Sequence, residues 1–94
     1  MRDLNDLYYF TKVVEHGGFS AAARALNIPK SRLSRRIAGL EDELGIRLLQ
    51  RSTRRVRLSL AGERFLQHCR EMSSSARAAL DAVQQMKSAP AGPV

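Results

Sequence analysis

Residues 30–36, Lys30-Ser31-Arg32-Leu33-Ser34-Arg35-Arg36, set four bases and two hydroxyls in seven positions with no acid among them. Side chains of these types donate hydrogen bonds and attract anions, and the run holds no His, Asp or Glu that could activate a serine as a nucleophile. A second run, Arg47 to Arg57, carries five bases and no acid. No paired carboxylates, nucleophile-base set or glycine-rich phosphate loop accompanies them, and Gly17-Gly18 lacks the spacing of a nucleotide motif. His16 and His68 stand far apart beside a single cysteine, Cys69, which is no zinc constellation. The chain is therefore expected to be a binding module with no catalytic residue, metal or cofactor of its own.

The distribution of charge sharpens this. Sixteen Lys and Arg against nine Asp and Glu give +7 over 94 residues. The two basic runs alone hold +9 in 18 residues, so the other 76 sum to −2. A polyanion is the natural partner for charge so localised. The longest apolar run, Leu7-Tyr8-Tyr9-Phe10, is far short of the roughly 18 residues that span a bilayer, and a lone cysteine makes no intramolecular disulfide. A cytoplasmic protein of one domain, without membrane contact, is expected.

Hydrophobic spacing indicates the elements that must carry these residues. Leu4, Leu7, Phe10, Val13 and Val14 form a helical stripe that Gly17-Gly18 stops, with His16 at its end. Ser20 is placed to cap a short second helix, Ala21 to Leu26, which Asn27-Ile28-Pro29 breaks. From Ser31, the side chains of Leu33, Ile37, Leu40 and Leu44 share an arc of roughly 60°, while Ser31, Arg35, Ala38 and Asp42 lie near the opposite pole. Gly45 ends this third helix. Two short helices with a turn between them are a helix-turn-helix. Leu48 to Arg51 and Val56 to Ser59 then read as a two-stranded hairpin, a wing, with Ser52 to Arg55 at its tip.

Ser59 can cap a last helix over residues 60–87. On it Phe65, Cys69, Met72, Ala76, Ala79, Val83 and Met86 recur at strict four- and three-residue spacings, with Leu80 beside them. Such a helix is about 42 Å long, whereas a domain of this size has a radius of gyration near 13 Å, so its second half must project. An exposed apolar seam on it implies a partner, most simply a second copy. The whole reads as mainly α: a winged helix-turn-helix of three helices and a two-stranded wing over residues 1–59, a linker and dimerisation helix over 60–87, and a hinge or tail over 88–94.

The polarity of the third helix points outward. The macrodipole favours acids at a helix start, yet Lys30, Arg32, Arg35 and Arg36 crowd this one and Glu41, Asp42 and Glu43 crowd its end. No base has an acid three or four residues later, and Arg32 faces Arg36 at a like-charge spacing. An external polyanion would relieve this: a phosphodiester backbone, with one or two side chains reaching base edges. Arg54 and Arg55, at the hairpin tip, suit a narrow minor groove. A merely solvated basic face, or edge protection of the hairpin, is the plainer alternative. A protein-protein adaptor using the long helix is the competing function, and structured RNA the third.

Residues 4–65 resemble the N-terminal domain of LysR-type transcriptional regulators. The resemblance lies in Leu4-x-x-Leu7-x-x-Phe10, Gly18-Phe19-Ser20-x-Ala22-Ala23-x-x-Leu26, Ser31-x-Leu33-Ser34-Arg35-x-Ile37-x-x-Leu40-Glu41-x-x-Leu44-Gly45, Leu48-Leu49-x-Arg51 and Leu58-x-x-x-Gly62. It implies a dimer on partly palindromic double-stranded promoter DNA, in a full-length parent that is dimeric or tetrameric. It also implies a larger effector-binding domain following near Pro90 to Pro93, so this chain reads as a cut-down piece or natural fragment, with any small-molecule effector bound elsewhere. By position, the resemblance assigns base contacts to Lys30, Ser31, Arg32, Ser34 and Arg35, phosphate contacts to Ser20 and Arg36, and a minor-groove contact to Arg54. Lys30 stands where the family commonly has glutamine, and Leu49 and Gln50 where it has Phe and Glu, departures that bear on the target sequence and not on the fold.

Overall fold

The computed structural model describes residues 3–51 and 56–88. Four helices and one hairpin follow in order: α1 (Asn5–Glu15), α2 (Phe19–Leu26), α3 (Lys30–Leu44), β1 (Leu49–Arg51), β2 (Val56–Leu58) and α4 (Leu60–Ser88). The expected winged helix-turn-helix with a long final helix is the observed fold.

Local chemistry sets each boundary. The Asp3 carboxylate accepts the Asn5 N–H at 2.9 Å and opens α1. Gly17, with φ +78°, closes it, letting the Gly18 N–H return to the Val13 carbonyl at 3.1 Å. Ser20 does not cap α2, as its position had suggested. The helix starts two residues earlier than Ala21, at Phe19, with extended Gly18 at the cap and no side-chain hydrogen bond there. Asn27 ends α2 in the left-handed region (φ 57°), and the Ile28 N–H reaches the Ala23 carbonyl at 3.1 Å. Asparagine tolerates that conformation where most residues resist it. Pro29 then stands before α3 with no N–H to strand, and its carbonyl accepts from Arg32 and Leu33, both at 3.1 Å.

The core lies where α1, α2, α3 and the first turns of α4 meet. Phe10, Val13, Leu33, Ile37, Leu40, Leu49 and Cys69 are fully buried there, and Phe65 lays its ring 5.5 Å from that of Phe10. Leu44 departs from its expected place on the α3 stripe and is 42% exposed, because α3 runs past the core before Gly45 turns the chain. The hairpin pairs antiparallel, Leu49 with Leu58, Gln50 with Arg57 and Arg51 with Val56. Leu49 and Leu58 face the core, whereas Gln50 and Arg57 are exposed, the alternation a half-buried ribbon requires.

α4 docks on the base of this hairpin. The Ser59 hydroxyl accepts the Gly62 N–H at 2.9 Å, the expected cap, and donates to the Arg47 carbonyl at 2.7 Å. Gly62 lies against Leu48 so closely that a Cβ there would overlap the Leu48 carbonyl oxygen. Only Gly62, Leu66 and Cys69 of α4 are buried, and every residue from Ser74 to Ser88 is exposed. The projecting half of the helix accounts for the overall extents of 59 × 25 × 21 Å. Among the described residues, no helix is long and apolar enough to cross a membrane.

Candidate nucleic-acid interface

α3 presents the first basic run as the periodicity requires. Leu33, Ile37 and Leu40 point inward, while Ser31, Arg35, Ala38 and Asp42 are exposed along the opposite line, with Lys30 and Arg32 exposed beside them and Ser34 half-buried. Among the described residues no acid pairs with Lys30, Arg32 or Arg35. Three cations thus stand on the first two turns of one helix, where the unpaired N–H groups already favour negative charge.

Arg36 differs from these three. Expected to need an external phosphate, it donates to Asp3 at 3.0 Å and to Asp6 at 3.1 Å, and its guanidinium lies 5.7 Å from the centre of the Tyr9 ring. These contacts pair its charge with two acids and tie α3 to the start of α1. The arrangement pushes the Arg36 guanidinium further up its range, chiefly through the hydrogen bond to Asp3. The Asp3 carboxyl is held below the usual carboxylate range, first by the Asn5 N–H and then by Arg36. Arg36 still borders one depression with Arg32 and Arg35, but with its charge paired to acids there.

The turn between α2 and α3 forms a second part of the surface. Ser20, Arg24, Asn27, Pro29 and Lys30 line one open crevice there. The structure thereby joins Ser20 to Lys30, ten residues apart in sequence. Arg24 was missed by the sequence reading because an isolated arginine gives no run; the usable signal was its place one helical turn after Ser20. Of the second basic run, Arg47 and Arg57 are exposed on the flanks of the hairpin. Arg54 and Arg55 lie outside the described residues.

The seam of α4 divides in two. Cys69 does not reach a partner: it is fully buried in its own chain's core, where burial pushes its thiol up to about 11 against a smaller opposing effect of a hydrogen bond with Thr11. Phe65 likewise spends its ring on Phe10. Both thus pack on their own chain's core, Cys69 fully buried and Phe65 partly so. Met72 is half-buried, and Ala76, Ala79, Leu80, Val83 and Met86 are exposed, Leu80 by 69% and Met86 by 77%. Tyr8 of α1 and Leu4 just before that helix extend this stripe, since they line one apolar depression with Met72, Ala76 and Leu80. Among the described residues, no group of His, Cys, Asp and Glu could hold a metal ion.

Known proteins share this arrangement. The family described as "Bacterial regulatory helix-turn-helix protein, lysR family" matches residues 4–63. An HTH-type transcriptional regulator of Xanthomonas campestris is 47% identical over 90 residues, 96% of this chain and 26% of that protein. The HTH-type transcriptional activator AaeR of Escherichia coli is 47% identical over 72 residues, 77% of this chain and 23% of that protein. Among solved structures, the BenM DNA-binding domain in complex with catB site 1 DNA superposes with a TM-score of 0.83 at 37% identity, covering 93% of this chain and 94% of that one. The chain spans about a quarter of the length of these two regulators. A helix-turn-helix with an open basic face, a wing braced on its base, and a match over nearly all of a solved DNA-binding domain lead to one conclusion: the chain belongs to the LysR family of bacterial regulatory helix-turn-helix proteins and carries its DNA-binding domain.

Proposed function

We propose that this chain binds double-stranded DNA sequence-specifically, as a dimer on a partly palindromic promoter site, within a longer transcription regulator whose effector-binding part lies outside these residues. Lys30, Arg32 and Arg35, exposed and unmatched by any acid among the described residues, carry the reading. With α3 in a major groove, Arg35 is placed to meet a base edge, helped by Ser31 and Ser34, while Lys30 and Arg32 reach guanine edges or phosphates. Ser20 and Arg24 face the backbone beside them, and the wing, with Arg54 and Arg55, lies along the next minor groove. Met72, Ala76, Ala79, Leu80, Val83 and Met86 hold the second copy.

The test is selection of bound sequences from a random duplex library, followed by affinity measurements at several salt concentrations. Recovered sites should contain two related half-sites. The logarithm of affinity should fall linearly with that of salt, at roughly −0.9 per phosphate neutralised. An unbound library at low salt would defeat the proposal and favour a protein-protein adaptor.

A further inference from the structure

The wing has little to hold it in place by itself. Each strand is three residues long, and an isolated two-stranded hairpin is at best marginally stable in water. Leu49, Val56 and Leu58 pack it on the core, and at its base Glu41 supplies a polar grip to α3. One carboxylate oxygen of Glu41 accepts the Leu48 N–H at 2.8 Å and the Leu49 N–H at 3.0 Å. The backbone carbonyl of the same residue accepts from Gly45 at 2.9 Å and Ile46 at 3.3 Å. A single residue of α3 thus gathers the amides of Gly45, Ile46, Leu48 and Leu49, folding the connection back on its helix. Leu48 and Leu49 are buried, so their amides have no easy recourse to water. From the other side the Leu48 carbonyl accepts the Ser59 N–H at 2.9 Å and packs against Gly62. The polarity of α3 now has a reason at its far end: an acid opposed to the helix dipole at Glu41 is turned off the helix axis onto two N–H donors.

We propose that Glu41 is a positioning residue for DNA binding: by fixing the wing base to α3, it sets the distance and angle between the major-groove and wing contacts, so that the two act as one site. This rests on the DNA-binding reading above. Two linked contacts reinforce each other only while their geometry permits both at once, and a loosened wing forfeits that gain without changing any residue that touches DNA.

The test compares two duplexes drawn from the selected library, one covering a half-site alone and one adding about 10 base pairs, a helical turn, of flanking sequence. The 94-residue chain and its Glu41→Ala and Glu41→Gln variants are titrated against both, with thermal melts to establish the folded fraction. Glu41→Ala should lose about tenfold in affinity on the longer duplex and less than about twofold on the shorter. Glu41→Gln, whose amide oxygen can still accept both N–H groups, should recover binding to the longer duplex. Should Glu41→Ala fail to fold, Glu41→Asp, which keeps the charge but shortens the reach, carries the same comparison. Equal losses on both duplexes, or wild-type affinity on the longer one, would overturn the proposal while leaving the DNA-binding reading intact. Absence of binding by the unsubstituted chain would overturn both.

Discussion

Arg35 and Arg36 are adjacent in the sequence and opposite in circumstance. Arg35 is exposed and has no acid partner among the described residues, whereas Arg36 is held by Asp3, Asp6 and Tyr9. Arg35→Ala should therefore cost about 1 to 3 kcal/mol on selected duplexes, relax sequence preference, and leave the melting temperature unchanged. Arg36→Ala should do the reverse, lowering the melting temperature while preserving the selected sequence. Library selection and thermal melts on both variants separate the roles; a shared loss of specificity would refute the division. Cys69 makes a prediction in pH. Its thiol ionises at about 11 in the folded chain, against 9.0 for the free group, because burial penalises the thiolate. Since the folded state holds the proton more tightly, this contribution to stability is complete below pH 9 and is lost as pH rises towards 11. At pH 8 an alkylating reagent should modify Cys69 only at the rate the chain opens, and denaturant should accelerate it strongly. Rapid labelling of the native chain would contradict its burial.

At the scale of elements, much of the fold was legible because the forces that shape it are local. The stripes of α1 and α3, the glycine stops and the Ser59 cap depend on residues within a few positions of each other, and each was readable from spacing. Arg36 was not, because its partners lie 33 and 30 residues upstream and the helix interior offered no acid to suggest them. Glu41 was equally hidden: as one of three acids at a helix end it looked like unfavourable charge until the chain folded Leu48 and Leu49 back onto it. The Ser20 cap failed for a different reason, since extended Gly18 could open the helix two residues earlier. Gly62 is where a small residue decides how two elements meet. Adding a methyl there forces α4 away from the Leu48 backbone, which cannot rotate aside as a side chain would. Gly62→Ala should destabilise the chain by roughly 1 to 3 kcal/mol despite its better helix propensity. A urea melt reads this directly; a midpoint at or above that of the parent would mean that α4 docks less closely than the structure has it.

Across the whole molecule, one spacing rule serves two different purposes along α4. The four-and-three repeat runs unbroken from Phe65 to Met86, but its first residues close the core of their own chain and its last ones face outward. Periodicity reports which side of a helix is apolar; it does not report whose surface covers that side, which depends on where the rest of the chain ends. Burial separates the two, and the boundary falls near Met72, where Tyr8 of α1 and Leu4 just before that helix border α4. Substitutions on either side of it should therefore fail in different ways. Phe65→Ala removes a ring packed on Phe10 and should lower the melting temperature of each chain, by about 2 to 4 kcal/mol in stability for a partly buried aromatic. Leu80→Glu with Val83→Glu changes side chains that are 69% and 55% exposed, so the fold of each chain should survive. What should be lost is the proposed association: sedimentation should report a monomer for the variant and a dimer for the parent chain. Affinity for a duplex with two half-sites should fall roughly 10²- to 10⁴-fold, towards that for one half-site, because each domain then binds alone. A double variant that still sediments as a dimer and still binds two half-sites with undiminished affinity would show that the outer half of α4 is not the surface joining the copies, and the apolar depression beside Leu4 and Tyr8 would have to be explained by another partner.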